Sequence, residues 1–139
     1  MASGIKIEFK GFDDMIDRLK KAGVDAKPVV DKAVKNAANI QLEHLRHEMI
    51  ATGVAADLVG RADASVEWDG ERCKAYVGYK KGAYDPQNPS DGYKAIFINY
   101  GTPRIKPREY LEPAMKSAQK AITRETKKAL NQILEEVGG

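Results

Sequence analysis

Apolar residues recur along this chain with two different periods, and the alternation of those periods predicts its elements. Near the start, Ile5, Ile7 and Phe9 alternate with Lys6, Glu8 and Lys10, the pattern of a strand with one buried face. Gly11 ends it. Asp13 or Asp14 can then cap a short helix whose apolar side is Met15, Ile16 and Leu19, and which Gly23 stops. Asp25 and Pro28 open a second helix. Here Val34, Ala38, Leu42, Leu45 and Met49 fall at spacings of three and four, with Val30, Ala33, Ala37 and Ile40 widening the stripe. Its alanines point to close packing against a sheet or a neighbouring helix. Residues 51–60 read as a linker of small residues. Strict alternation returns in Ala62, Ala64, Val66 and Trp68, then again in Cys73, Ala75, Val77 and Tyr79 after Asp69-Gly70, a pair favoured in tight hairpins. Ala95 to Ile98 is an unbroken apolar run of the kind buried in a sheet. Pro113 suits the first turn of a last helix, with Met115, Ala118, Ile122, Ala129 and Ile133 on one face and Leu130, Leu134 and Val137 broadening it.

These patterns predict an α+β fold. The antiparallel sheet should have about four strands, near residues 4–10, 61–69, 72–80 and 94–100. One short helix is expected at 13–22 and two long amphipathic ones at 26–51 and 112–136, the long pair covering one sheet face. At 139 residues a single domain, 1–139, is expected. Trp68, the only tryptophan, belongs to the inward side of its strand and is expected in the core.

Two segments do not fit a purely structural account. Lys80 to Gly92, KKGAYDPQNPSDG, is longer and richer in Gly and Pro than a connection between strands requires. It reads either as a surface loop or as an arm that orders against another subunit, with Tyr84 and Tyr93 flanked by Lys80, Lys81 and Lys94 as the contact residues. The second segment is AIFINYGTPRIKPREYLEPA, from Ala95 to Ala114. After its apolar run, Tyr100-Gly101-Thr102-Pro103 forces a turn, and Arg104, Lys106 and Arg108 follow before the Tyr110-Leu111 anchor.

That stretch resembles the C-terminal signature of small neck and minor tail proteins of long-tailed double-stranded-DNA phages, called head–tail joining or tail-completion proteins. The family pattern is an apolar strand, an aromatic-Gly-Thr, a gap, and P-R-P-F-L-R-P-A opening a helix. Pro107, Arg108, Leu111, Pro113 and Ala114 match, and Tyr110 replaces the usual Phe. Glu109 and Glu112 depart from the pattern, and Asn99 stands where an acidic residue is common. The resemblance implies a structural virion protein, made in the host bacterial cytoplasm and residing in the neck or tail. Its implied partners are the connector, the tail terminator or the tail tube, together with copies of itself in a sixfold or twelvefold ring.

Composition narrows the alternatives. A hydrophobic share of 42% and a charged share of 31% are ordinary for a globular domain. No apolar run approaches a membrane span and no signal peptide is expected, so no membrane partner is implied. The single Cys73 excludes an intramolecular disulfide. The net charge of +3 is too small to indicate nucleic-acid binding. Its placement is uneven: residues 1–100 carry 15 basic and 15 acidic side chains, whereas 101–139 carry 8 and 5. Arg104, Lys106 and Arg108 could touch phosphates, since a neck surrounds a DNA channel. Pairing with Glu109, Glu112 or acids on a protein partner is the favoured reading, because no stacking platform or recognition helix accompanies them.

Candidate chemistry is sparse. His44 and His47, three apart on a helix beside Glu43 and Glu48, lack the further convergent ligands a metal needs and read as a helix face. Cys73 sits at an inward strand position beside Lys74 and reads as a structural thiol. There is no Gly-rich phosphate loop, no Gly-x-Ser-x-Gly turn and no paired-Cys spacing. The residues therefore nominate no enzyme, cofactor or metal. A small DNA-binding or nuclease-associated module is the alternative, and a regulatory prophage enzyme a third reading without a nameable nucleophile.

Overall fold

The computed structural model describes residues 5–8, 13–69, 72–79 and 89–136. Strand β1 (Ile5–Glu8) is followed by α1 (Asp13–Lys21), α2 (Ala26–Ala51), α3 (Ala56–Gly60), β2 (Asp63–Asp69), β3 (Arg72–Gly78), α4 (Asp91–Tyr100) and α5 (Leu111–Glu136). The fold is α+β, as the two periods predict.

Among the described residues the sheet has three antiparallel strands in the order β1-β3-β2. Asp69 pairs with Arg72, Trp68 with Cys73, Val66 with Ala75 and Ala64 with Val77, so the residues expected to face inward share one face. Gly70 and Glu71, which join the strands, lie outside the described residues, as do Phe9, Lys10 and Gly11 after β1. Behind this face runs α2. Its Asp25 N-cap accepts a hydrogen bond from the backbone N–H of Lys27 at 3.1 Å. Val34, Ala38, Leu45 and Met49 pack with Ile5, Ala75 and Val77, and Val54, Leu58, Val59, Tyr110 and Leu111 close the same core.

The fourth strand is absent from the described residues, because residues 94–100 are helical. The buried positions of α4 are Gly92, Ala95, Ile96 and Asn99, which is helical spacing. Two of those four, a glycine and an asparagine, do not register as apolar. The half-buried Phe97 and Ile98 on the other side do, and they turned a helical stripe into an apparent strand run. The linker at 51–60 is also more ordered than expected. Gly53, at φ +82°, ends α2, and Leu58 and Val59 bury from the short α3.

The long helices do not lie side by side on the sheet. α5 packs along α2, so the layers run sheet, α2, α5. The alanines explain this: α2 presents Val34, Ala38 and Leu45 to the sheet side, and the small Ala33 and Ala37, with Ile40, line its groove with α5. At the far end, Leu19 of α1 is fully buried against Leu130 and Leu134 in a second, smaller core. Met115, expected on the packed face of α5, is 47% exposed, because the buried stripe runs through Leu111, Ala114 and Ala118 instead.

Trp68 points to the predicted face but is only half-buried. It reaches the open N-terminal half of α2, where its indole Nε1–H donates to Asp31 Oδ1 at 2.9 Å and Lys27 Nζ sits 5.1 Å from the ring centroid. It is a staple at the rim of the core rather than its centre.

Candidate functional site

The segment after α4 is built as a connected lock. Gly101 caps α4 at φ +80°, its N–H donating to Phe97 O at 2.8 Å. A Cβ at this position would lie 2.9 Å from the backbone oxygen of Ile105 and from the ring of Pro107, so only glycine lets the chain fold back so closely. Thr102 and Ile105 exchange backbone hydrogen bonds of 2.9 and 3.2 Å. The Thr102 Oγ1 accepts from the N–H groups of Arg104 and Ile105.

Beyond this turn, Arg108 N–H donates to Ile98 O at 2.8 Å, and its guanidinium donates to Gly53 O at 2.7 Å. That carbonyl belongs to the C-terminal end of α2, where a cation is favoured. Tyr110, 1% exposed, donates its O–H to Ala95 O at 2.8 Å. Burial raises the pKa of this phenol far above its ordinary range. The buried Asn99 Oδ1 accepts the N–H of Leu111 at 3.0 Å, so α4 supplies an acceptor to the otherwise unpaired first turn of α5. Gln41 of α2 completes the lock through a buried hydrogen bond of 3.0 Å to Ala114 O.

At its other end α4 is held by charge. Arg61 makes a two-pronged contact to Asp91, Nε to Oδ2 at 2.7 Å and Nη2 to Oδ1 at 3.1 Å. Hydrogen bonding from Arg61 keeps the Asp91 carboxyl below the usual carboxylate range. Nearby, Tyr79 donates to Leu58 O at 2.6 Å, and burial pushes its phenol up to about 12.

The expected contact residues therefore separate. Lys80, Lys81 and Tyr84 lie outside the described residues. Tyr93 is half-buried one turn from Phe97, its ring centroid 6.3 Å away. It stands about 10 Å along α4 from Tyr100 at the basic turn, at 1.5 Å per helical residue. Arg104, Lys106 and Arg108 are exposed and lie together on the turn. Of these, Arg108 is engaged with Gly53, and no ion pair among the described residues joins any of the three to Glu109 or Glu112; Glu112 pairs instead with Lys116 at 3.0 Å.

Of the other candidates, His44 has a structural partner. His44 Nδ1 lies 2.8 Å from Ser117 Oγ, joining α2 to α5, whereas His47 is exposed. No group of three or more metal-binding side chains converges among the described residues. Burial, then the charge of Asp31, raises the Cys73 thiol, which keeps it protonated and a poor nucleophile. Sequence reasoning missed Asn99 as a cap for α5. The signal was an acceptor side chain set at the end of an otherwise apolar run.

No family model matches the chain, and no curated protein or solved structure matches it. No described helix is long and apolar enough to cross a membrane.

Proposed function

We propose that this protein is a structural component of a long-tailed double-stranded-DNA phage, joining tail to head or completing the tail end during assembly. It acts by subunit association rather than by catalysis. Its partners on this reading are the connector, the tail terminator or the tail tube, with copies of itself in a ring, and its site of action is the neck or tail of the virion.

One observation carries the reading. Four of the five residues that match the phage pattern take part in the lock: Pro107 against Gly101, Arg108 on Ile98 and Gly53, Leu111 on Asn99 of α4, and Ala114 on Gln41 of α2; Tyr110 adds a hydroxyl bond that the usual Phe lacks. These contacts hold the turn rigidly between helices, as a docking surface in an assembly protein requires. The turn leaves Arg104 and Lys106 projecting without an internal ion pair among the described residues.

The test is to image particles made without the protein. Separate heads and tails are expected. Normal infectious virions would refute the proposal.

A further inference from the structure

We infer that the end of the molecule around the 101–106 turn docks onto another protein, one that presents carboxylates around an apolar patch. The inference rests on the assembly reading for the setting in which such a partner is met, and goes beyond it in naming the surface and the partner's chemistry.

Five large apolar residues are strongly exposed among the described ones, and four of them sit on the elements that meet at this end. Tyr100 ends α4 at 60% exposure, Ile105 lies in the turn at 45%, Met115 is in the first turns of α5 at 47%, and Ile50 is in the last turn of α2 at 64%. The contacts that bring these elements together are Arg108 to Gly53 and Leu111 to Asn99. Nothing in the lock requires these side chains to be apolar. Ile105 serves it through backbone N–H and C=O groups alone, and a polar residue could make the same bonds.

Charge decides the kind of partner. Ile105 is flanked by Arg104 and Lys106, and both project from the turn. Exposed apolar residues on these meeting elements, with Arg104 and Lys106 at the rim of the turn, match the composition of a protein interface, in which aromatic residues, Met and Arg concentrate. Phosphates would engage the rim and leave Ile105 and Met115 with nothing to bury against. The rigidity of the turn contributes as well. With Gly101, Thr102 and Pro107 fixing the backbone, little ordering cost remains to be met on binding.

The experiment places p-benzoylphenylalanine at Tyr100 in the full-length protein, within the cells that naturally carry its gene, and maps the photo-crosslinked product by mass spectrometry. The expected product joins position 100 to an acid-containing segment of another protein. Arg104→Glu with Lys106→Glu should reduce its yield about tenfold or more, and changing the mapped carboxylates of the partner to Lys should restore it. Ile105→Ser should reduce the yield without changing the melting temperature. Crosslinking to nucleic acid, crosslinking to a second copy of this chain, a yield indifferent to the charge reversal, or no product at all would overturn the inference. The two readings fail separately. A charge-dependent partner that is not a virion protein would refute the phage assignment and leave the surface standing. A protein incorporated into virions with no such dependence would do the reverse.

Discussion

Asn99 offers the sharpest quantitative test, because one side-chain oxygen links two helices. It is 4% exposed, and its Oδ1 accepts the N–H of Leu111 at 3.0 Å. Asn99→Ala removes the acceptor and leaves a buried donor at the start of α5. A lost helix cap costs about 1 kcal/mol, and leaving a buried N–H unpaired costs about 1–3 kcal/mol. These describe one event from two sides and do not add. A loss of about 2 kcal/mol is expected, because the site is enclosed and water cannot substitute for the amide oxygen. For a chain of this size that corresponds to a fall in melting temperature of about 6–10 °C. Urea denaturation should show a lower midpoint at unchanged slope, since the surface exposed on unfolding is the same. Asn99→Asp keeps an oxygen in place near the positive end of α5 but buries a charge in the last turn of α4, so it should recover only part of the loss at neutral pH. A change below about 0.5 kcal/mol in the alanine variant, within the range of indifferent surface substitutions, would refute this account of the lock. Equal damage from Asp and Ala would show that burying the charge costs as much as the retained acceptor contributes.

Three further outcomes follow from the same geometry. Gly101→Ala should destabilise by about 2 kcal/mol, through positive φ and a Cβ pressed against Ile105 O and Pro107, measured as a lowered denaturation midpoint. Arg108→Ala should cost about 1 kcal/mol by freeing Gly53 O at the end of α2, whereas Arg104→Ala should stay within about 0.5 kcal/mol of the parent; equal effects in thermal melts would contradict the division of labour between them. Lys35, then Trp68, hold the Asp31 carboxyl below its ordinary value, so their contact contributes above the unfolded carboxylate's range and is lost as pH falls through the lower folded value. Trp68 emission should therefore shift at a pH below the usual Asp range, and the shift should vanish in Asp31→Asn.

Much of the fold was legible because local pattern and tertiary role coincide. The stripe of α2, the inward parity of Ala64, Val66 and Trp68, and the pairing of that strand with Cys73, Ala75 and Val77 all depend on a period that survives whatever packs against it. The misreading of residues 94–100 has the opposite origin. Gly92 and Asn99 are buried for fit and for hydrogen bonding rather than for hydrophobicity, so a scale of hydrophobicity hides the helix they belong to. Ser90 before Asp91 and Gly101 after Tyr100 were the boundary signals that favoured a helix. The basic turn itself was visible as composition, but the exposed Ile50 of α2, brought to the same end by the contact of Arg108 with Gly53, is far from it in the chain.

By itself the sequence determined the strands β1 to β3 and the helices α1, α2 and α5, which faces of β2 and β3 turn inward, and that a glycine-governed turn carries three cations between two anchors. Those properties are set by a few neighbouring residues through steric limits and periodicity. Only the tertiary structure decided that α5 lies on α2 instead of on the sheet, that Trp68 ends at a half-open rim, and that Asn99, Gln41 and Gly53 complete the lock. These depend on which surfaces meet across gaps of up to 73 residues, as between Gln41 and Ala114. No local period records that, because a buried polar atom is placed by its partner and not by its neighbours in the chain.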